Sequence, residues 1–109
     1  MIIGVLNLEF HLHGNDSLKG KRKVAASLKQ KLRNKFNVAV AEVAAQDVLD
    51  RLHLSVVTVA NETAKVESRL AKALAMVEAI SPVELYRCDT EVFASDETDQ
   101  DVMDQDVMK

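Results

Sequence analysis

The sequence predicts an α+β domain with its elements in the order βαββαβ, and three observations lead there. The N-terminal stretch alternates apolar residues with a period of two. Two later stretches place apolar residues at helical spacing, and three further short runs are rich in valine, threonine and other strand formers. At 109 residues the chain has the length of one domain. A domain of that size buries roughly two thirds of the surface its unfolded chain exposes.

From residue 2 to 12 the even positions read Ile2, Gly4, Leu6, Leu8, Phe10 and Leu12, while the odd ones read Ile3, Val5, Asn7, Glu9 and His11. Successive strand side chains point to opposite faces, so one face here is wholly apolar and rests on a core. His13-Gly14-Asn15-Asp16 is turn chemistry, and Ser17 supplies an N-cap hydroxyl. A first helix follows over 18–35, with Leu18, Ala25, Leu28 and Leu32 in one stripe that continues to Phe36. Gly20 and Asn37 are its weak points, the second near its end. Residues 38–43 form a short second strand. Residues 44–51 lack a clear period and are read as a connection with at most one helical turn.

Residues 53–60 are the third strand, the clearest by β-branched content. Asn61 is the expected cap of a second helix whose stripe is Val66, Leu70, Ala73, Leu74, Val77 and Ile80. Ser81-Pro82 ends it, because proline disfavours a helical residue before it. Residues 83–93 return as a fourth strand, and their weak alternation and scattered charges place it at an edge. This is the split βαβ order of ferredoxin-like domains: a four-stranded antiparallel sheet with two helices on one face. The domain is assigned to residues 1–93. Residues 94–109 are an acidic tail in which Asp99-Gln100-Asp101-Val102-Met103 is followed at once by Asp104-Gln105-Asp106-Val107-Met108. So few apolar groups do not offset the entropy of ordering, and the tail is expected to be disordered.

The chain has no Trp, and its aromatics are Phe10, Phe36, Tyr86 and Phe93, so the core must be aliphatic. One cysteine, Cys88, cannot close an internal disulfide, which suits a reducing compartment. No basic segment precedes the N-terminal apolar run, and Asn7 and Glu9 interrupt it. Neither a signal peptide nor a membrane span is expected, and a cytoplasmic location is. The net charge of −3 conceals a separation: eight of the 14 Lys and Arg residues lie between Lys19 and Lys35, a stretch without an acid. Six of the 17 acids lie in the tail.

That basic stretch is the strongest functional signal. On a helical projection Arg22, Lys29 and Arg33 fall within an arc of about 40°, and Lys19 and Lys23 extend it. Lys31 and Lys35 flank the other side of the apolar stripe. Lys21 sits at the stripe's own angle and must snorkel or find a partner. A charge run is ordinarily a solvated face. Here no Glu at i±4 balances it, so like charges repel along the helix and an anionic partner relieves the repulsion. The reading is a non-enzymatic RNA- or ribosome-binding module contacting phosphates through Lys19, Arg22, Lys23, Lys29 and Arg33. Stacking aromatics on the central strands are missing, which excludes the sheet-face mode of RNA recognition.

The alternative is a structural protein that forms homo-oligomers through the open sheet face. Ile3 and Val5 lie on that side of strand one, and Val57 and Val59 on the same side of strand three, where a purely solvated face alternates more cleanly. Other chemistry finds little support. His11 and His13, with Glu9, share one side of a strand, but no Cys pair, HExxH or third spaced His accompanies them. They are read as water-facing strand-end residues, and no metal or cofactor is assigned. His53 is isolated and is read as a satisfied or exposed histidine with no ligand role. Acylphosphatases, small enzymes of similar fold, use an arginine in the loop after strand one, whereas His13-Gly14-Asn15-Asp16 has none. Three glycines in the whole chain exclude a Gly-rich phosphate loop, and no nucleophile–base pair is visible. Cys88 has no CxxC partner and is read as structural. Asp47 and Arg51 have the spacing of a helical ion pair that could clasp the connection.

Ser17-Leu18-Lys19-Gly20-Lys21-Arg22, Phe36-Asn37-Val38-Ala39-Val40-Ala41-Glu42-Val43, Gln46-Asp47 and Arg51 together resemble the bacterial YlxP-like family, a domain-of-unknown-function family. The resemblance spans about residues 2–93 and implies a ferredoxin-like fold without an established activity. Members are often encoded beside translation-initiation and ribosome-maturation genes, which implies RNA or ribosomes by association. Gly20 departs from the family's common Glu and removes a capping-box partner for Ser17. Leu49 stands where the family commonly has an aromatic.

Overall fold

The apolar face of the first strand decides the architecture. In a computed structural model of the chain, which describes residues 1–95, β1 (Ile2–His11) lies inside the sheet with neighbours on both sides. It is followed by α1 (Leu18–Lys35), β2 (Ala39–Ala44), β3 (Arg51–Ala60), α2 (Thr63–Ile80) and β4 (Glu84–Ala94). The sheet order is β2-β3-β1-β4, and every neighbouring pair is antiparallel. The expected ferredoxin-like βαββαβ fold is the observed one.

Leu6, Leu8 and Phe10 from β1 meet Leu52, Leu54 and Val56 from β3 beneath Ala25, Leu28 and Leu32 of α1 and Val66, Leu70, Ala73 and Val77 of α2. All are buried, and each large aliphatic contributes about 1.5–3 kcal/mol. Gly4 belongs to the same face, and Val66 and Leu70 of α2 pack directly against it. A Cβ there would stand 2.8 Å from Leu70 Cδ1 and nearer still to Val66 Cγ1.

Element ends show where local signals prevail. Ser17 caps α1 as its chemistry predicts, its Oγ accepting from Gly20 N–H at 3.0 Å. Leu18 is exposed and leaves the stripe, whereas Lys21 at the stripe's angle is buried. The α2 cap is Glu62, which makes no side-chain cap bond, and not Asn61. The docking of Val66 and Leu70 on Gly4 sets where α2 begins, at the cost of the better cap.

The β2–β3 connection is tighter than expected. β3 begins at Arg51, β2 ends at Ala44 after an irregularity between Glu42 and Ala44, and residues 45–50 form turns without a helix. Ala45 adopts φ 58°, a left-handed conformation rare for alanine. β4 is an edge strand, as its charges predict, and a bulge opposite Glu9 and Phe10 inserts Tyr86. It runs one residue past the expected domain boundary: Ala94 pairs with Ile2, and Ser95 N–H donates to the Met1 carbonyl at 2.8 Å. The expected disorder of the tail concerns residues outside those described.

Candidate nucleic-acid interface

α1 is amphipathic in two senses. Its inner stripe enters the core, and its outer faces carry Lys19, Arg22, Lys23, Lys31, Arg33 and Lys35 exposed, with Lys29 half-buried. Among the described residues none of these seven lies in an ion pair. The five residues expected to touch phosphate, Lys19, Arg22, Lys23, Lys29 and Arg33, therefore share one helix with no ion-pair partner among the described residues. Arg33 and Lys35 in the last turn favour the helix dipole, whereas Lys19 in the first turn opposes it.

Lys21 is the exception among the eight, and the structure answers the question its position raised. It is 1% exposed. Its Nζ donates to the carbonyls of Ala45 at 2.5 Å and Val48 at 2.8 Å, with Gln46 at 3.5 Å. Glu42 Oε2 lies 3.0 Å away and forms an ion pair with it. A lysine at an apolar angle is thus the clamp that holds the β2–β3 connection, including left-handed Ala45, against α1. Asn15 fastens the same connection from the preceding turn, donating to Ser17 O at 2.9 Å and Leu49 O at 2.6 Å. Its Oδ1 fills the space a Cβ on Gly20 would take, which gives the glycine a role the capping argument did not supply.

The second helix adds to the cationic surface. Lys35 and Phe36 at the end of α1 line a groove with Ala64, Lys65, Ser68, Arg69 and Lys72 of α2. Arg69 is committed to the sheet, donating to Thr58 Oγ1 at 2.6 Å and Val59 O at 3.2 Å. Lys65 and Lys72 are exposed. Sequence reading missed this extension because it depends on how the two helices pack.

The opposite, open face of the sheet is divided. At one end Ile3 pairs with Val59 and Val5 with Val57, and Phe93 sits across from Ile3. All four residues expected to form an oligomer face are therefore neighbours. Val59 and Phe93 are exposed, and Ile3, Val5 and Val57 are half-buried. The other end is polar. Ser55 donates to Asn7 Oδ1 at 2.5 Å, Tyr86 donates to Glu9 Oε1 at 2.9 Å, and Arg51 donates to Tyr86 at 3.3 Å while its guanidinium lies 5.3 Å from the ring centroid.

Three sequence expectations change here. Arg51 lies in β3 and turns to Tyr86, so the Asp47–Arg51 clasp does not form. Without a helical connection the i,i+4 geometry it needs is absent. His53 lies in β3, as the assignment of residues 53–60 to a strand predicts, but its Nε2 is buried without a hydrogen-bond partner among the described residues, so it is neither satisfied nor exposed. Cys88 is exposed on edge strand β4, so it is no packing group. The histidine grouping also differs: Glu9 is engaged by Tyr86, and the carboxylate beside His11 and His13 is Glu84.

Four antiparallel strands backed by two helices make this an α+β domain of ferredoxin-like topology. The chain belongs to the family described as "Protein of unknown function (DUF503)", whose pattern matches residues 3–90. It is 29% identical over 92 residues to the uncharacterized protein YlxP of Bacillus subtilis (strain 168), covering 84% of this chain and 100% of that one. The resemblance carried by the Ser17–Arg22 and Phe36–Val43 segments is therefore borne out. Among solved structures, a variant of SnoaB, a cofactor-independent oxygenase from Streptomyces nogalater, aligns with a TM-score of 0.46 at 13% identity over 86% of this chain and 92% of that one. A REP-associated tyrosine transposase bound to a REP hairpin aligns with a TM-score of 0.42 at 7% identity, over 94% of this chain and 62% of that one. Neither likeness bears on activity. No helix among the described residues is long and apolar enough to cross a membrane.

Proposed function

We propose that the protein is a non-enzymatic, RNA- or ribosome-binding module that reads phosphates with the outer face of α1. The observation that carries this reading is the set of seven α1 cations without an ion-pair partner among the described residues. Like charges three and four residues apart each cost a few tenths of a kcal/mol. A polyanion removes that cost and releases its own counterions on binding. Lys65 and Lys72 across the inter-helix groove extend the track along which a strand can lie. The arrangement is rigid, because α1 is seated on the core by Ala25, Leu28 and Leu32 and tied to the β2–β3 connection by Lys21.

Fluorescence anisotropy with labelled single-stranded and ribosomal RNA tests the proposal. Micromolar binding at low salt that is lost on Arg22→Glu combined with Arg33→Glu is expected. Binding that ignores the double charge reversal contradicts it.

A second reading rests on the apolar end of the open sheet face. Ile3, Val5, Val57 and Val59 adjoin exposed Phe93 there, and a second copy of the chain would cover them. The two readings use opposite sides of the molecule and do not exclude one another. Sedimentation equilibrium distinguishes them: a dimer that dissociates on Val57→Lys supports an assembly role, and a monomer at every concentration removes it.

A further inference from the structure

We propose that His11, His13 and Glu84 form a binding site for a single borderline divalent cation of the zinc class. The fold brings these residues together from separate segments. His11 closes β1, His13 lies in the turn that follows, and Glu84 opens β4 directly across from His11 in the strand register. One ligand atom from each lies within 4.8 Å of the other two. That spread is small enough for a side-chain adjustment to reach the roughly 2.0–2.2 Å metal–ligand distances of imidazole and carboxylate donors.

The local arrangement gathers two imidazoles and two carboxylates at one end of the sheet. The imidazole rings have their centroids 3.8 Å apart and are tilted by 43°. Rings this close can offer their nitrogens to one centre, and a metal ion takes imidazoles as neutral donors. Glu84 Oε1 stands 2.5 Å from His13 Nε2. Asp50, next to the β3 residue that pairs with His11, places Oδ2 3.6 Å from His11 Nε2. A carboxylate at that distance, too long for a hydrogen bond, adds negative charge beside the cluster and so favours a bound cation. The three ligating side chains line a recess of about 230 Å³ together with Leu12, Asn15 and Val83, which leaves room for the ion and its remaining water ligands. Two imidazoles and a carboxylate select zinc, nickel, cobalt or copper over magnesium or calcium, whose preferred ligands are all oxygen. The bulge at Phe10 supports the geometry, because it sets the register that brings Glu84 opposite His11.

The site is independent of the RNA reading, since it uses none of the α1 cations. Titration calorimetry of the full chain with ZnCl₂ tests it, with Co²⁺ visible absorption as a second readout. The expected result is one ion per chain, not displaced by excess Mg²⁺, and a loss of affinity of about tenfold or more in His13→Gln and in Glu84→Gln. Cys88→Ser, which removes the exposed thiol far from the cluster, should bind as the unaltered chain does. Both ligand positions are exposed, so either variant decides the question with the fold intact. Absence of zinc binding, unchanged affinity in His13→Gln and Glu84→Gln, or loss of binding in Cys88→Ser overturns the proposal.

Discussion

Replacing Lys21 by methionine keeps an unbranched apolar stem and removes the terminal ammonium with its charge and donors. The Ala45 and Val48 carbonyls, at 2.5 and 2.8 Å from Nζ, then lose their partner. Glu42, its side chain only 24% exposed, is left beside the core without a counter-charge. Breaking a buried pair from one side costs about 3–5 kcal/mol, and partial hydration of Glu42 places this case near the lower end. About 3 kcal/mol corresponds to a fall in Tm of at least about 12 °C for a domain of this size. Glu42→Gln alone strands the buried ammonium with only its carbonyl bonds and should cost about 2–3 kcal/mol. The double variant should cost less than the sum of the two, because the stranded carboxylate is gone. With no Trp in the chain, far-UV circular dichroism through heat and urea unfolding is the suitable assay. A Lys21→Met variant within about 0.5 kcal/mol of the unaltered chain, the range of ordinary surface changes, would show that the clamp is not structural.

Gly4→Ala should destabilise by about 1–3 kcal/mol, since the new methyl overlaps Val66 and Leu70; an unchanged urea midpoint would show that α2 does not seat as described. Val57→Lys should leave the fold intact and, if the sheet face pairs copies of the chain, shift sedimentation from dimer to monomer. Removing residues 96–109 takes away six acids and one lysine. RNA affinity at low salt should then rise, and an unchanged affinity would show that the tail's charge does not reach the α1 face.

Much of the fold was legible because β1, α1 and α2 carry unmistakable periods, and because the βαββαβ order admits few topologies. Boundaries failed where packing outweighed local chemistry. Asn61 is the better capping residue, yet α2 begins after Glu62 because Val66 must reach Gly4. Leu18 reads as stripe, yet it is exposed and Lys21 takes the buried place in the first turn of α1. The cationic face was legible since helix geometry alone assembles it. Lys21 was visible as an anomaly, but its partners lie 24 to 27 residues away in the chain, where periodicity carries no information. Glu84 is farther still from His13, at 71 residues. Only the register of β4 on β1 joins them, and the bulge at Phe10 that fixes this register has no signature in composition.

The central claim is that α1 binds RNA by charge, and the salt dependence of affinity tests it most directly. Each phosphate neutralised on a single strand contributes about −0.7 to the slope of log K against log salt. Contacts from Lys19, Arg22, Lys23, Lys29 and Arg33 therefore predict a slope of about −3.5, falling in magnitude to about −2.1 or less when Arg22 and Arg33 are replaced by alanine. A slope near zero, or one unchanged in the Arg22→Ala/Arg33→Ala variant, would contradict the account.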